Sequence, residues 1–528
     1  MLYRLLFFVS FTFFSLQLWG QAAGMTVYEY PLLENEHWWA GITMDGALMP
    51  FQEDYSVDLY GNDKGQQVQP LLLSSSGRYI WSDQPFAFTI DQEKIQITAA
   101  GAGITYSDAG STLKDAFQLA KQNHFPSSGQ LPHRALFEHP QYNTWIELNY
   151  DQTEENVLRY AQSILDNGFS PGVLMIDDNW QEDYGNWDFH PGRFQDPAGM
   201  VKKLHEMGFF VMLWVAPFVS PDSKIGRDLR KEDVFLKEYE QKRSAVRQWW
   251  NGMSYELDFT NPRAVGWFKA QLDHLQTAYG IDGFKFDAAQ TDFYRNGIQS
   301  YRRITPNAHA SLYGEIGLAY PLNEFRVMWK MAGQPLAIRL KDKAHNWEDL
   351  QKLIPQIISE GISGYPFTCP DMIGGGLLAS FRDLDKIDQD LVVRSAQCSA
   401  LMPMMQFSAA PWRVLDATHL AACKKAVEVR EKSTPLIMAL AGEAAKTGDP
   451  IIRAMEYEFP RAGFAQIRDQ FMLGERLMVA PVVEPGQHTR QVHIPAGEWR
   501  ADDGSRIAGP KVITIEVPLD RLPYFEKL

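Results

Sequence analysis

Acidic side chains at the ends of short apolar runs are the feature of this 528-residue chain that could do chemistry. The clearest case is Ile281-Asp282-Gly283-Phe284-Lys285-Phe286-Asp287. Asp287 reads either as a nucleophile at the C-terminal end of a buried parallel strand, where barrel enzymes place their chemistry, or as a cap on the next helix. The same pattern recurs at Asp177 and Asp178, at Arg339 and Asp342, at Glu315 and at Asp371, with Trp214 on a further apolar run. Glycoside hydrolysis requires two carboxyl groups with separate tasks, one at the anomeric carbon and one that protonates the departing oxygen. Lys285, two residues before Asp287 and on the same strand face, is placed to hold a nucleophile ionised. None of these acids has the histidine spacing of a zinc site, and no phosphate-binding loop accompanies them, so neither a metal nor a cofactor is expected. A G-x-S-x-G elbow is also absent, which argues against acyl transfer.

Elements that would position these residues alternate along the middle of the chain. Candidate strands are Thr144–Leu148, Val173–Asp177, Phe209–Val215, Gly283–Asp287, Ala310–Gly314, Leu336–Leu340, Gly361–Phe367 and Leu401–Phe407, with helical patterns between several of them. The expected fold class is α/β: a (β/α)8 TIM barrel over residues 128–448, flanked by an N-terminal β-sandwich (25–127) and a C-terminal β-sandwich (449–528). Residues 1–24 have the layout of a secretory signal peptide, one arginine before an apolar run that ends in small residues. Export to the periplasm or the medium is the corresponding expectation. A net charge of −15 argues against nucleic acid as a partner. The expected partner is an oligosaccharide or other glycoside, with no stable membrane insertion after signal cleavage and oligomerisation left open. Three widely spaced cysteines suit core packing better than a disulfide framework.

Several stretches together carry a family resemblance. They are Gly77-Arg78-Tyr79-Ile80-Trp81-Ser82, Met175-Ile176-Asp177-Asp178, Trp249-Trp250-Asn251-Gly252, Leu257-Asp258-Phe259-Thr260-Asn261-Pro262, Gly283-Phe284-Lys285-Phe286-Asp287 and Pro370-Asp371-Met372-Ile373-Gly374-Gly375. In this order and spacing the chain resembles glycoside hydrolase family 31, the retaining α-glycosidases. The resemblance implies that Asp287 is the nucleophile and Asp342 the general acid/base, with Asp371 the runner-up acid. It implies that Asp177, with Asp178 and Lys285 beside it, binds sugar hydroxyls, that Trp214 and Trp250 form apolar walls, and that Arg326, with Arg339 as second choice, contacts the sugar. Lys341 stands where many members have Gly, and it is expected to point away from the acid. The eighth strand runs into Gln406-Phe407-Ser408 where α-glucosidases carry an Arg and a His. That departure, with Trp250-Asn251-Gly252, looks like the α-galactosidase-type branch. An exo-acting α-galactosidase is therefore expected; the alternatives are an α-glucosidase or α-xylosidase, or a non-catalytic carbohydrate-binding protein on the same scaffold.

Overall fold

The structure, a computed structural model, describes residues 24–528 apart from 53, 102 and 296. Residues 1–23, which hold the expected signal peptide, lie outside the described residues.

Eight short parallel strands form the centre: β1 (Gln141–Asn143), β2 (Val173–Ile176), β3 (Phe210–Val215), β4 (Gly283–Phe286), β5 (Leu322–Phe325), β6 (Ile338–Arg339), β7 (Thr368–Cys369) and β8 (Gln406–Phe407). They are hydrogen-bonded in the order β7-β6-β5-β4-β3-β2-β1-β8. A parallel bridge between Met372 and Gln406 brings the chain just beyond β7 against β8 and closes the ring. The helix before β4, α1 (Pro262–Tyr279), is punctuated by its sequence. Asn261 accepts from the Arg263 N–H, Pro262 occupies the first turn, and Gly280, at φ +77°, ends it in the left-handed conformation. Gly283 then lets β4 lie close to β5, since a Cβ there would meet the Leu322 carbonyl oxygen at 1.9 Å.

Two expected strands are helical, and a third, Gly361–Phe367, is a helix end and turn before the seventh strand at Thr368–Cys369. Ala310–Gly314 lies inside α2 (Pro306–Gly317), which Thr305 caps by accepting from the Ala308 N–H, with Pro306 in the first turn. The fifth strand is instead Leu322–Phe325, so Glu315 is a helical surface residue and Glu324 is the acid inside the barrel. Thr144–Leu148 is a short helix capped by Asn143, and the first strand stops at Asn143.

Before the barrel, the strands Met25–Pro31, Lys94–Ala100, Ala87–Ile90 and Tyr55–Asp58 make one antiparallel sheet. Gln67–Ser74 is central to a second sheet, and its first residues pair in parallel with Met328–Trp329, just beyond β5. This N-terminal region is more than a platform. Gln67 donates its amide to the backbone carbonyls of Arg326, at 2.5 Å, and Arg339, at 3.4 Å. Asp63 and Thr291 exchange hydrogen bonds that fix the loop beyond β4. One apolar core runs through these sheets and the barrel. The C-terminal region is a six-stranded antiparallel sheet with its own core around Met472, Trp499 and Phe525. Cys369, Cys398 and Cys423 are buried and unpaired.

Candidate active site

The C-terminal ends of the barrel strands surround a cavity of about 450 Å³ lined by Asp177, Asp178, Trp214, Trp250, Lys285, Asp287, Arg326 and Asp342. These eight were expected from the sequence to share a site, and the fold brings them together.

Asp287 is delivered by one more rung of the β4 ladder, its N–H donating to the Val215 carbonyl at 2.9 Å. Beyond it Ala288 and Ala289 both take positive φ, +65° and +62°, a costly conformation for residues with a Cβ. This sharp turn lets the Ala288 N–H donate to Asp287 Oδ1 at 2.8 Å, while Trp214 Nε1 donates to Oδ2 at 2.9 Å. Arg326 Nε lies 3.4 Å from Oδ1. Burial alone would push this carboxyl group's pKa up, but Arg326, then Lys285 and Arg339, hold it well below the usual carboxylate range. Asp287 is an ionised, hydrogen-bonded carboxylate, the state a nucleophile needs.

Lys285 makes its direct contact elsewhere. Its Nζ donates to Asp177 Oδ2 at 2.7 Å, and both side chains are buried. In the ladder Lys285 stands opposite Trp214 on β3 and Glu324 on β5, so its charge acts on Asp287 through space and on Asp177 by contact. Among the described residues Asp178 has no cation as a hydrogen-bond partner. Its Oδ2 accepts from Asn251 Nδ2 at 2.6 Å and from the Tyr184 hydroxyl at 3.1 Å. Burial, reinforced by the charge of Asp177, pushes its pKa up to about 6.

The two tryptophans differ. Trp214 is buried and spends its N–H on Asp287. Trp250, in the turn between the hairpin strands Val246–Trp249 and Gly252–Glu256, is 47% exposed and carries the Arg326 guanidinium 4.8 Å above its ring.

At the end of β6, Arg339 Nη1 donates to Asp342 Oδ1 at 2.7 Å and to Asp371 Oδ1 at 2.6 Å. Arg339 Nε faces Glu324 at 3.2 Å. Arg339 does not line the cavity, contrary to its reading as a second sugar contact. It is 1% exposed, enclosed by three carboxylates. Asp371 lies behind Asp342 and is also buried. Lys341 is exposed, its ammonium lies near Gly65, and it does not line the cavity, as expected.

Trp145, Tyr150, Asn251, Leu377, Leu378 and Arg382 complete the lining and were not singled out as site residues. Trp145 and Tyr150 follow β1, whose misplaced end hid them. Leu377, Leu378 and Arg382 come from the loop beyond Gly374-Gly375-Gly376, where the glycines were the available signal.

The pattern of the glycosyl hydrolases family 31 TIM-barrel domain matches residues 135–440, and that of the family's C-terminal domain matches residues 448–527. The chain belongs to glycosyl hydrolase family 31. Among curated family 31 relatives, the myogenesis-regulating glycosidase of Mus musculus is 34% identical over 93% of this chain and 73% of its own length. Alpha-glucosidase 2 of Bacillus thermoamyloliquefaciens is 24% identical over 90% of this chain and 64% of its own. Among solved structures, the Flavobacterium johnsoniae GH31 dextranase complexed with glucose superposes with a TM-score of 0.84 at 21% identity, over 96% of this chain and 67% of that one. This last likeness bears on the fold.

Proposed function

We propose that the protein is a retaining, exo-acting α-glycoside hydrolase that removes a terminal non-reducing α-galactosyl residue by double displacement. The observation that carries this reading is the pair of unlike carboxyl groups on one cavity: Asp287, buried and held ionised by cations, and Asp342, whose side chain is 28% exposed. Asp287 attacks the anomeric carbon as Asp342 gives its proton to the glycosidic oxygen, which leaves with the bonding electron pair. The product is a β-linked glycosyl ester on Asp287. Asp342, now a carboxylate, takes a proton from water, and the resulting hydroxide displaces Asp287 to release the α-anomer. Trp214 and Arg326 hold the attacking carboxylate in place, and Arg326 lies between it and the Trp250 ring. Beneath this layer the barrel is filled by Glu324, Arg339 and Gln406, all buried, which suits a chain end better than a chain passing through.

The galactosyl assignment rests on the eighth strand. Gln406 donates to Glu324 at 2.8 Å and Ser408 accepts from the Ile146 N–H at 2.7 Å, so neither offers the Arg-His pair of the glucosidase type. The names of other relatives, Alpha-glucosidase 2 and Alpha-xylosidase XylQ, supply the competing readings. A panel of aryl α-glycosides of galactose, glucose, xylose and the 6-sulfonated sugar separates them. The expected result is a kcat/KM for the galactoside at least tenfold above the rest. Preference for another sugar would replace the galactosyl assignment, and turnover of none would overturn the enzymatic reading.

A further inference from the structure

The charges behind Asp342 are arranged for a purpose that its contact with substrate does not explain. Arg339 Nη1 touches Asp342 and Asp371 at once, at 2.7 and 2.6 Å, and its Nε faces Glu324. A guanidinium beside a lone carboxyl group would favour the ionised form and spoil a proton donor. Here that charge is divided among three carboxylates. Asp371 is locked into this duty by its backbone, at φ +74°, and by the Lys343 N–H, which donates to its Oδ2 at 2.8 Å. Lys343 acts on Asp371 from the loop after β6, is pushed toward neutrality by burial, and is bonded to Gln356 on α3 (Trp347–Ile362) at 2.5 Å. Glu360 on the same helix is buried, its side chain has no hydrogen-bond partner among the described residues, and burial pushes its pKa up. Lys285 and Asp177 neutralise one another on the β4 side. Burial, followed by the opposing pull of Arg339 and the push of Asp342, leaves Asp371 with a raised pKa.

We propose that Asp371 and Arg339 are positioning residues for the proton donor: Arg339 Nη1, shared between Asp342 and Asp371, fixes the Asp342 carboxyl group, and Asp371 offsets part of the arginine's charge beside it. This rests on Asp342 being the acid/base. Neither residue lines the cavity, so their effect should follow the need for a proton rather than the need for binding.

The test uses whichever sugar the wild-type enzyme hydrolyses, as two substrates: a 2,4-dinitrophenyl α-glycoside, whose leaving group needs no proton, and an alkyl α-glycoside, which does. Asp371→Asn should lower kcat on the alkyl substrate by about 100-fold while changing the dinitrophenyl substrate less than about fivefold. It should also move the basic limb of the alkyl pH profile downward, because a negative charge beside Arg339 and the donor is lost. Arg339→Lys, which retains a buried cation but cannot face Glu324 through one nitrogen and bridge Asp342 and Asp371 through another, should show the same leaving-group split and decides the matter if Asp371→Asn does not fold. Equal losses on both substrates with an unmoved basic limb would overturn the proposal and leave these residues purely structural. Failure of the underlying reading looks different: Asp342→Asn would then hydrolyse the alkyl substrate as well as the wild type does.

Discussion

The ends of β4 and β6 face one cavity, yet they surround their carboxyl groups in opposite ways. At β4 one acid, Asp287, meets the charges of Arg326, Lys285 and Arg339; at β6 three acids, Asp342, Asp371 and Glu324, meet one guanidinium. Asp178 serves as an internal reference. It is buried as Asp287 is, but no cation touches it, and its pKa rises to about 6 where that of Asp287 falls. Burial alone therefore does not set the direction of the shift; the balance of nearby cations and acids does. In the proposed mechanism the cation-rich strand end supplies the nucleophile and the acid-rich one the proton donor.

Removing the carboxylate at β4 should have the largest effect. Asp287→Asn is expected to lower kcat on an activated aryl α-glycoside by roughly 10⁴-fold or more, with sugar binding by calorimetry largely retained. Next comes Lys285→Met, which leaves Asp177 buried without its cation. Loss of one partner from a buried pair costs about 3–5 kcal/mol, to be read from urea unfolding at neutral pH; a change below 1 kcal/mol would mean that Asp177 finds another partner.

Arg326→Met removes the largest favourable charge on Asp287 and should lower kcat/KM by about 100-fold, near 3 kcal/mol. The pKa of Asp287 then rises toward the usual range, so the acidic limb of the pH profile should move upward; an unmoved limb would mean that Lys285 and Arg339 suffice. The smallest effect is expected at the reference acid. A carboxyl group whose folded pKa is raised stabilises the fold below its unfolded pKa, and that contribution disappears as pH rises through the folded value. Between pH 5 and 7.5 the wild type should thus lose about 1 kcal/mol at Asp178, and Asp178→Asn should flatten that decline in urea titrations at the two pH values.

Much of this contrast was legible in the residues. Lys285 two before Asp287 marked the β4 end, and the run of acids at strand ends marked the cavity. Strand five escaped because Ala310–Gly314 is apolar and short, whereas Thr305-Pro306 before it was the stronger message, a cap and a first-turn proline. With that strand misplaced, Glu324 could not be seen opposite Lys285, and Arg339 was read as facing the sugar rather than three carboxylates. Pairings across the barrel, such as Gln406 with Glu324 or Gln67 with the backbone of Arg326, join residues far apart in the chain. Local periodicity carries no trace of them. The rim residues Tyr150, Leu377 and Arg382 sit on loops, where no repeat announces which side chain turns inward.

The central claim is that the cation-rich end supplies a nucleophile and the acid-rich end a proton donor that later acts as a base. Proton NMR of the first sugar released from an aryl α-glycoside, recorded before mutarotation, tests it directly. The account predicts that the α-anomer appears first and the β-anomer only as mutarotation proceeds. Initial release of the β-anomer would mean a single displacement by water, and Asp287 would not be the nucleophile.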